Sequence, residues 1–186
     1  RHLPSEFSAK SFHIRRGADG VGHPWFGEQP SYYLSRTPVD RIGRPGAWVD
    51  DREGRYQPLP EDDMLTPGEI PHFHRREARV EWMDTAGVGA AVMFPSLALT
   101  VEHQMRSDPG ACVANLRAFN RWLDEDWGFD YRGRIVGVPL LNLLDLDRAI
   151  AELEFVLARG ARAIALRPGP AAGRSPAAPY FDPFWS

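Results

Sequence analysis

From residue 75 onward, short apolar runs alternate with stretches in which apolar residues recur every three or four positions. The run Ala90-Ala-Val-Met-Phe-Pro95 has no polar alternation, which predicts a strand covered on both faces. Ile135-Val-Gly-Val-Pro-Leu-Leu141 and Ala163-Ile-Ala-Leu-Arg-Pro168 read the same way. Around them the spacing predicts helices. Residues 75–86 form one, with Gly87 at its C-cap. Asp108-Pro109 supplies an N-cap and a proline at the first helical position, and the helix that follows carries Cys112, Leu116, Phe119, Leu123 and Trp127 on one stripe. Asp145 caps another helix, in which Leu146, Ala149, Ile150, Leu153, Val156 and Leu157 fall at offsets 0, 3, 4, 7, 10 and 11 before Gly160 ends it. Residues 95–107 read as a loop of about a dozen residues. Strands and helices in this order give a parallel sheet with helical crossovers. The rhythm breaks off at Phe184-Trp185-Ser186, where a further helix is starting, so the chain reads as an interior piece of a larger α/β protein.

Residues 1–74 differ. They are rich in proline, glycine and aromatic residues and carry little periodicity. Val21-Gly-His-Pro-Trp-Phe-Gly27 and Arg41-Ile-Gly-Arg-Pro-Gly46 are dense in turn formers, so long regular elements are not expected there. Phe12, Trp25, Phe26, Tyr32, Tyr33 and Trp48 argue against plain disorder. This half reads as an ordered, irregular cover, and the chain divides into 1–74 and 75–186.

Composition narrows the function. The chain has 186 residues, 43% hydrophobic and 25% charged, with a formal net charge of −3, so no basic face marks a nucleic-acid partner. No apolar run approaches a membrane span of ~20 residues, and no signal peptide is evident. Cys112 is the one cysteine, which excludes an internal disulfide, suits a cytoplasmic location, and reads as a small core residue.

Candidate chemistry sits at strand ends, where α/β proteins meet their ligands. These positions are Phe94, Pro95 and Ser96, then Asn142, then Arg167 and Pro168. Arg167 ends an apolar strand, where its planar fork can hold a substrate carboxylate or phosphate, or can pair with a neighbouring βα loop. Asn142 reads as a loop or cap residue. His72 and His74 form a His-x-His, but no buried strand precedes them, which argues against metal ligation. Gly87-Val-Gly89 precedes a strand, whereas a dinucleotide fingerprint follows one. Gly169-Pro-Ala-Ala-Gly-Arg-Ser175 has arginine where a phosphate loop has lysine, and prolines where amides are needed, so it reads as a βα loop. Asp124, Glu125 and Asp126 read as a solvated helix end.

An ordered string of motifs adds a resemblance. It runs through Phe94-Pro-Ser-Leu97, Leu116-Arg-Ala-Phe-Asn-Arg-Trp-Leu123, Arg134-Ile-Val-Gly-Val-Pro-Leu-Leu141, Ala149-Ile-Ala-Glu-Leu153, Ala165-Leu-Arg-Pro168 and Tyr180-Phe-Asp-Pro-Phe-Trp185. The string resembles the amidohydrolase-related family that includes aminocarboxymuconate semialdehyde decarboxylase and the resorcylate decarboxylases. Arg1-His-Leu-Pro-Ser-Glu-Phe7 resembles the segment after that family's first strand. The resemblance implies about three consecutive units of a (β/α)8 barrel and a divalent metal, zinc or manganese, in the full-length parent. It implies decarboxylation or hydrolysis of a small carboxylated or cyclic substrate, and leaves the parent open to homo-oligomerisation. The family's metal-bearing strands fall outside the matched segments, so no metal ligand transfers to this chain, which is expected to be inactive alone. Phe94, Ser96 and Arg167 are the expected substrate-pocket walls, and no catalytic residue is assigned. A non-catalytic scaffold that keeps part of a barrel and an α/β nucleotide-binding protein are the alternatives.

Overall fold

The computed structural model describes residues 1–18, 20–33, 42–43, 64–66 and 68–186. Trp48, and the Arg41–Gly46 turn apart from Ile42 and Gly43, lie outside them. After a 3-10 helix at Ser5–Lys10, strands β1 (Phe12–Arg16), β2 (Gly22–Phe26) and β3 (Gln29–Pro30) form an antiparallel sheet in that order. Phe12 pairs with Phe26, and their rings lie 5.3 Å apart. The sequence hid this sheet because Pro24 sits inside β2, where it cannot donate to a ladder. The short strands β4 (Ile42–Gly43) and β5 (Met64–Leu65) pair with each other. A 3-10 turn at Pro71–Phe73 leads into helix α1 (Arg76–Ala86). Gly87 ends α1 at φ 69°, a left-handed conformation that costs glycine no Cβ strain.

The second half follows the apolar rhythm. Its elements are β6 (Ala91–Met93), α2 (Leu99–Gln104), α3 (Pro109–Asp126), β7 (Asp130–Tyr131), β8 (Ile135–Gly137), β9 (Leu140–Leu141), α4 (Leu146–Ala158), β10 (Ala165–Leu166) and α5 (Asp182–Trp185). β6 runs parallel to β8, with Ala91 opposite Ile135 and Met93 opposite Gly137. β9 runs parallel to β10, with Leu140 opposite Ala165. The run read as one strand over 135–141 is thus two segments that break at Val138-Pro139 and pair on opposite sides. The predicted caps form: the Asp108 carboxylate accepts from the Ala111 amide at 3.0 Å, and Asp145 from the Arg148 amide at 3.1 Å.

Four expectations are corrected. The segment 95–107 is not a plain loop, because α2 lies inside it. Within this chain β6 is covered on one face only. Ala91 and Met93 pack into the core, while Val92 and Phe94 are 56% and 66% exposed. β7 adds a short antiparallel neighbour to β8. The apolar stripe of α4 packs on the core through Leu146, Ala149, Ile150, Leu153 and Val156 as expected, but its last member, Leu157, is exposed, and Glu152 is buried as well.

Two clusters form the interior. One joins Met83, Leu123, Phe129, Ile135, Leu141, Val156, Phe181 and their neighbours across α1, α3, α4 and α5. The other packs Ala98, Val101 and Met105 on Ala111, Cys112 and Leu116, with Leu140 and, from the N-terminal sheet, Phe26. Asn115 ties that sheet down: it accepts from the Phe12 amide at 2.9 Å and donates to the Lys10 carbonyl at 3.1 Å. Gly137 lets the turn after α3 approach the sheet closely, since a Cβ there would stand 2.6 Å from the Gly128 carbonyl oxygen.

Candidate functional site at the strand ends

The parallel strands deliver Phe94 and Ser96 after β6, Asn142 after β9 and Arg167 after β10. Phe94 and Ser96 are exposed. Asn142 is buried and accepts from the Leu144 amide at 3.1 Å, which makes it a loop brace. Arg167 donates from Nε to Oε1 of Glu102 at 2.9 Å. Glu102 is on α2, in the connection that follows β6, so the neighbouring-loop ion pair foreseen for Arg167 is present. Glu102's side chain is 6% exposed and that of Arg167 is 35%. Among the described residues Nη1 and Nη2 of Arg167 make no hydrogen bond. The buried acid therefore holds one edge of the guanidinium and leaves its outer fork available.

Sequence reading missed Glu102. The signal was there: Ala98, Val101, Glu102 and Met105 fall at offsets 0, 3, 4 and 7, which put the acid on a buried helical face. Beneath the pair lies Cys112, fully buried. Burial, followed by the charge of Glu102, pushes its thiol up to about 12. Below its ordinary value of about 9 the thiol is protonated whether the chain is folded or not. Above that value the unfolded chain loses a proton that the folded one keeps, so stability falls as pH rises toward about 12. The difference in unfolding free energy between the parent chain and Cys112→Ala should therefore narrow from pH 9 upward in urea titrations; a pH-independent difference would refute this.

A buried polar network braces α3 against β9 behind these strand ends. Asn120 has no exposed surface, and its amide bonds both polar groups of the Leu140 backbone: Nδ2 donates to the carbonyl and Oδ1 accepts from the amide, each at 3.0 Å. The same Nδ2 lies 3.0 Å from Oε1 of buried Glu152. Arg121 grips Glu152 with two bonds, 2.7 and 2.9 Å, and Arg117 approaches to 3.2 Å. Spacing exposes this acid too, because Ala149, Glu152 and Val156 fall at offsets 0, 3 and 7.

Other candidates are accounted for locally. The acidic run is solvated at Glu125 and Asp126 as expected, and each acid is also paired: Asp124 with Arg159 at 2.8 Å, and Glu125 and Asp126 with Arg1 at 2.9 and 2.6 Å. Cations from two other segments offset acids at the unfavourable end of a helix dipole. In the 169–175 loop, Ala171 and Arg174 exchange amide-to-carbonyl bonds of 2.9 Å in both directions, so neither amide is left for a phosphate. His72 stacks on Trp82 at 5.2 Å, with its pKa lowered by burial and then by Arg79. No group of three or more His, Cys, Asp or Glu side chains is placed to hold a metal ion among the described residues. No helix among them is long and apolar enough to cross a membrane.

No protein-family model matches the chain, and no curated protein does. Among solved structures, an amidohydrolase from Mycobacterium avium subsp. paratuberculosis K-10 superposes on all of it with a TM-score of 0.83 at 31% identity. The chain spans 50% of that protein's length. A match of this quality over every residue gives the chain an amidohydrolase-like α/β fold.

Proposed function

We propose that this chain is part of a metal-dependent amidohydrolase-type enzyme of the cytoplasm, acting on a small carboxylated or cyclic organic substrate by decarboxylation or hydrolysis. The observation that carries the reading is the full-chain match to an amidohydrolase, joined to a strand-end arginine with an open fork. In this reading Arg167 orients the substrate's anionic group through Nη1 and Nη2, while Glu102 fixes the guanidinium plane. Phe94 and Ser96 wall the pocket. The described residues do not form a metal centre, so in this reading zinc or manganese is held by residues other than these.

Two measurements test this. The isolated chain should hold no stoichiometric zinc or manganese by elemental analysis and should show no turnover; one bound equivalent with activity would overturn the placement of the metal. In an active enzyme that carries this chain, Arg167→Gln should raise KM for an anionic substrate at least about tenfold, the loss of a charge-assisted bond of about 1.5–3 kcal/mol. An unchanged KM would remove Arg167 from the pocket.

A further inference from the structure

Near the start of α1, Arg79 borders a cavity of about 460 Å³ whose walls include Leu65, Glu69, Ile70, Phe73 and Trp82. That volume lies within the range of small-molecule sites. The guanidinium carbon stands 4.7 Å from the Phe73 ring centre and 5.8 Å from that of Trp82. Its Nε is buried without a hydrogen-bond partner, and Arg79 has no ion pair among the described residues. Other arginines differ. Arg148 and Arg162 have side chains at least half exposed, yet each keeps a carboxylate, at 3.4 and 3.6 Å. Burial holds the Arg79 pKa below its usual range, and no acid among the described residues offsets it.

The rings compensate this cation only in part. They offer their π faces but no acceptor, whereas the guanidinium N–H donors need acceptors in its plane. Glu69, the acid on the wall, turns Oε2 to the amide and hydroxyl of Thr66 at 2.9 and 2.8 Å. A ligand that completes this site brings an acceptor pair in the plane of Arg79 and an apolar body for the rings. With one arginine and one acid among the described residues of the wall, a single negative charge fits better than two.

We propose that this cavity binds a small organic monocarboxylate, held by the in-plane donors of Arg79 with its body against Phe73, Trp82 and Ile70. The site shares no residue with the strand ends and does not depend on the reaction proposed above.

The test is titration of the chain with benzoate, followed by tryptophan fluorescence and calorimetry. Benzoate should bind saturably and perturb Trp82, and its neutral isostere benzamide should bind at least about tenfold more weakly. Arg79→Gln, shown folded by an unchanged thermal midpoint, should weaken benzoate binding by a similar factor, and Arg167→Gln should not. Trp82→Phe should lose the fluorescence change while keeping the heat of binding. Equal affinity for benzoate and benzamide would overturn the proposal, as would benzoate binding unchanged in Arg79→Gln or no binding to the parent chain. Should Arg79→Gln not fold, Arg79→Lys keeps the charge without the fork. Weaker benzoate binding in that variant supports the site, and unchanged binding rejects the planar recognition.

Discussion

Replacing Asn120 with alanine should lower the unfolding free energy by about 3 kcal/mol, one of the two largest losses expected from a single change in this chain. The side chain is small and its hydrophobic transfer energy is minor. The loss comes from what it leaves behind. The Leu140 amide and carbonyl, both bonded to Asn120 at 3.0 Å, would remain buried without partners. Each orphaned group costs about 1–3 kcal/mol. Asn120→Asp keeps the acceptor for the Leu140 amide but loses the donor and sets a second carboxylate beside Glu152, so it should be no better tolerated. Urea midpoints at constant m-value read this directly. A loss under about 0.5 kcal/mol would show that water or a backbone shift satisfies Leu140 instead.

Glu152→Ala should cost about 3–5 kcal/mol, because it leaves the Arg121 guanidinium without the carboxylate that takes both its bonds and removes an acceptor from Asn120. Glu152→Gln should recover part of the loss, since a neutral oxygen still accepts from Asn120 but no longer offsets the arginines. The double variant Asn120→Ala/Glu152→Ala should lose less than the sum of the single losses, as residues that share a bond do. Strict additivity would mean that the two groups act independently despite their contact.

What the sequence revealed, and what it concealed, follows the range of each interaction. Asp108 and Asp145 cap helices through amides three residues away, and both were legible. The apolar runs of β6, β8 to β9, and β10 were legible because burial needs no named partner. Helix α2 was lost because Pro95 and Ser96 announce a loop and the helix is only six residues long. Glu102 and Glu152 were lost because an acid at a core position reads as surface until its cation is known. Those cations are Arg167, 65 residues along the chain, and Arg121, 31 residues away. Arg167 could therefore be named from its place at a strand end, whereas its partner could not.

Asn120 also decides where the sheet gives way to the rim. The Val138 amide donates to the Met93 carbonyl at 3.0 Å, the last bond between those strands. Continued in the same register, the ladder would next call on Pro95, which has no N–H to give. It would then need an acceptor for the Leu140 amide, and the Asn120 carboxamide already fills that slot from α3. With the place taken, the chain beyond Phe94 is released from the sheet to build α2 and present Glu102 to Arg167. The rim at the strand ends is thus held open by a side chain that never reaches it, much as a wedge keeps a zipper from closing past a chosen tooth.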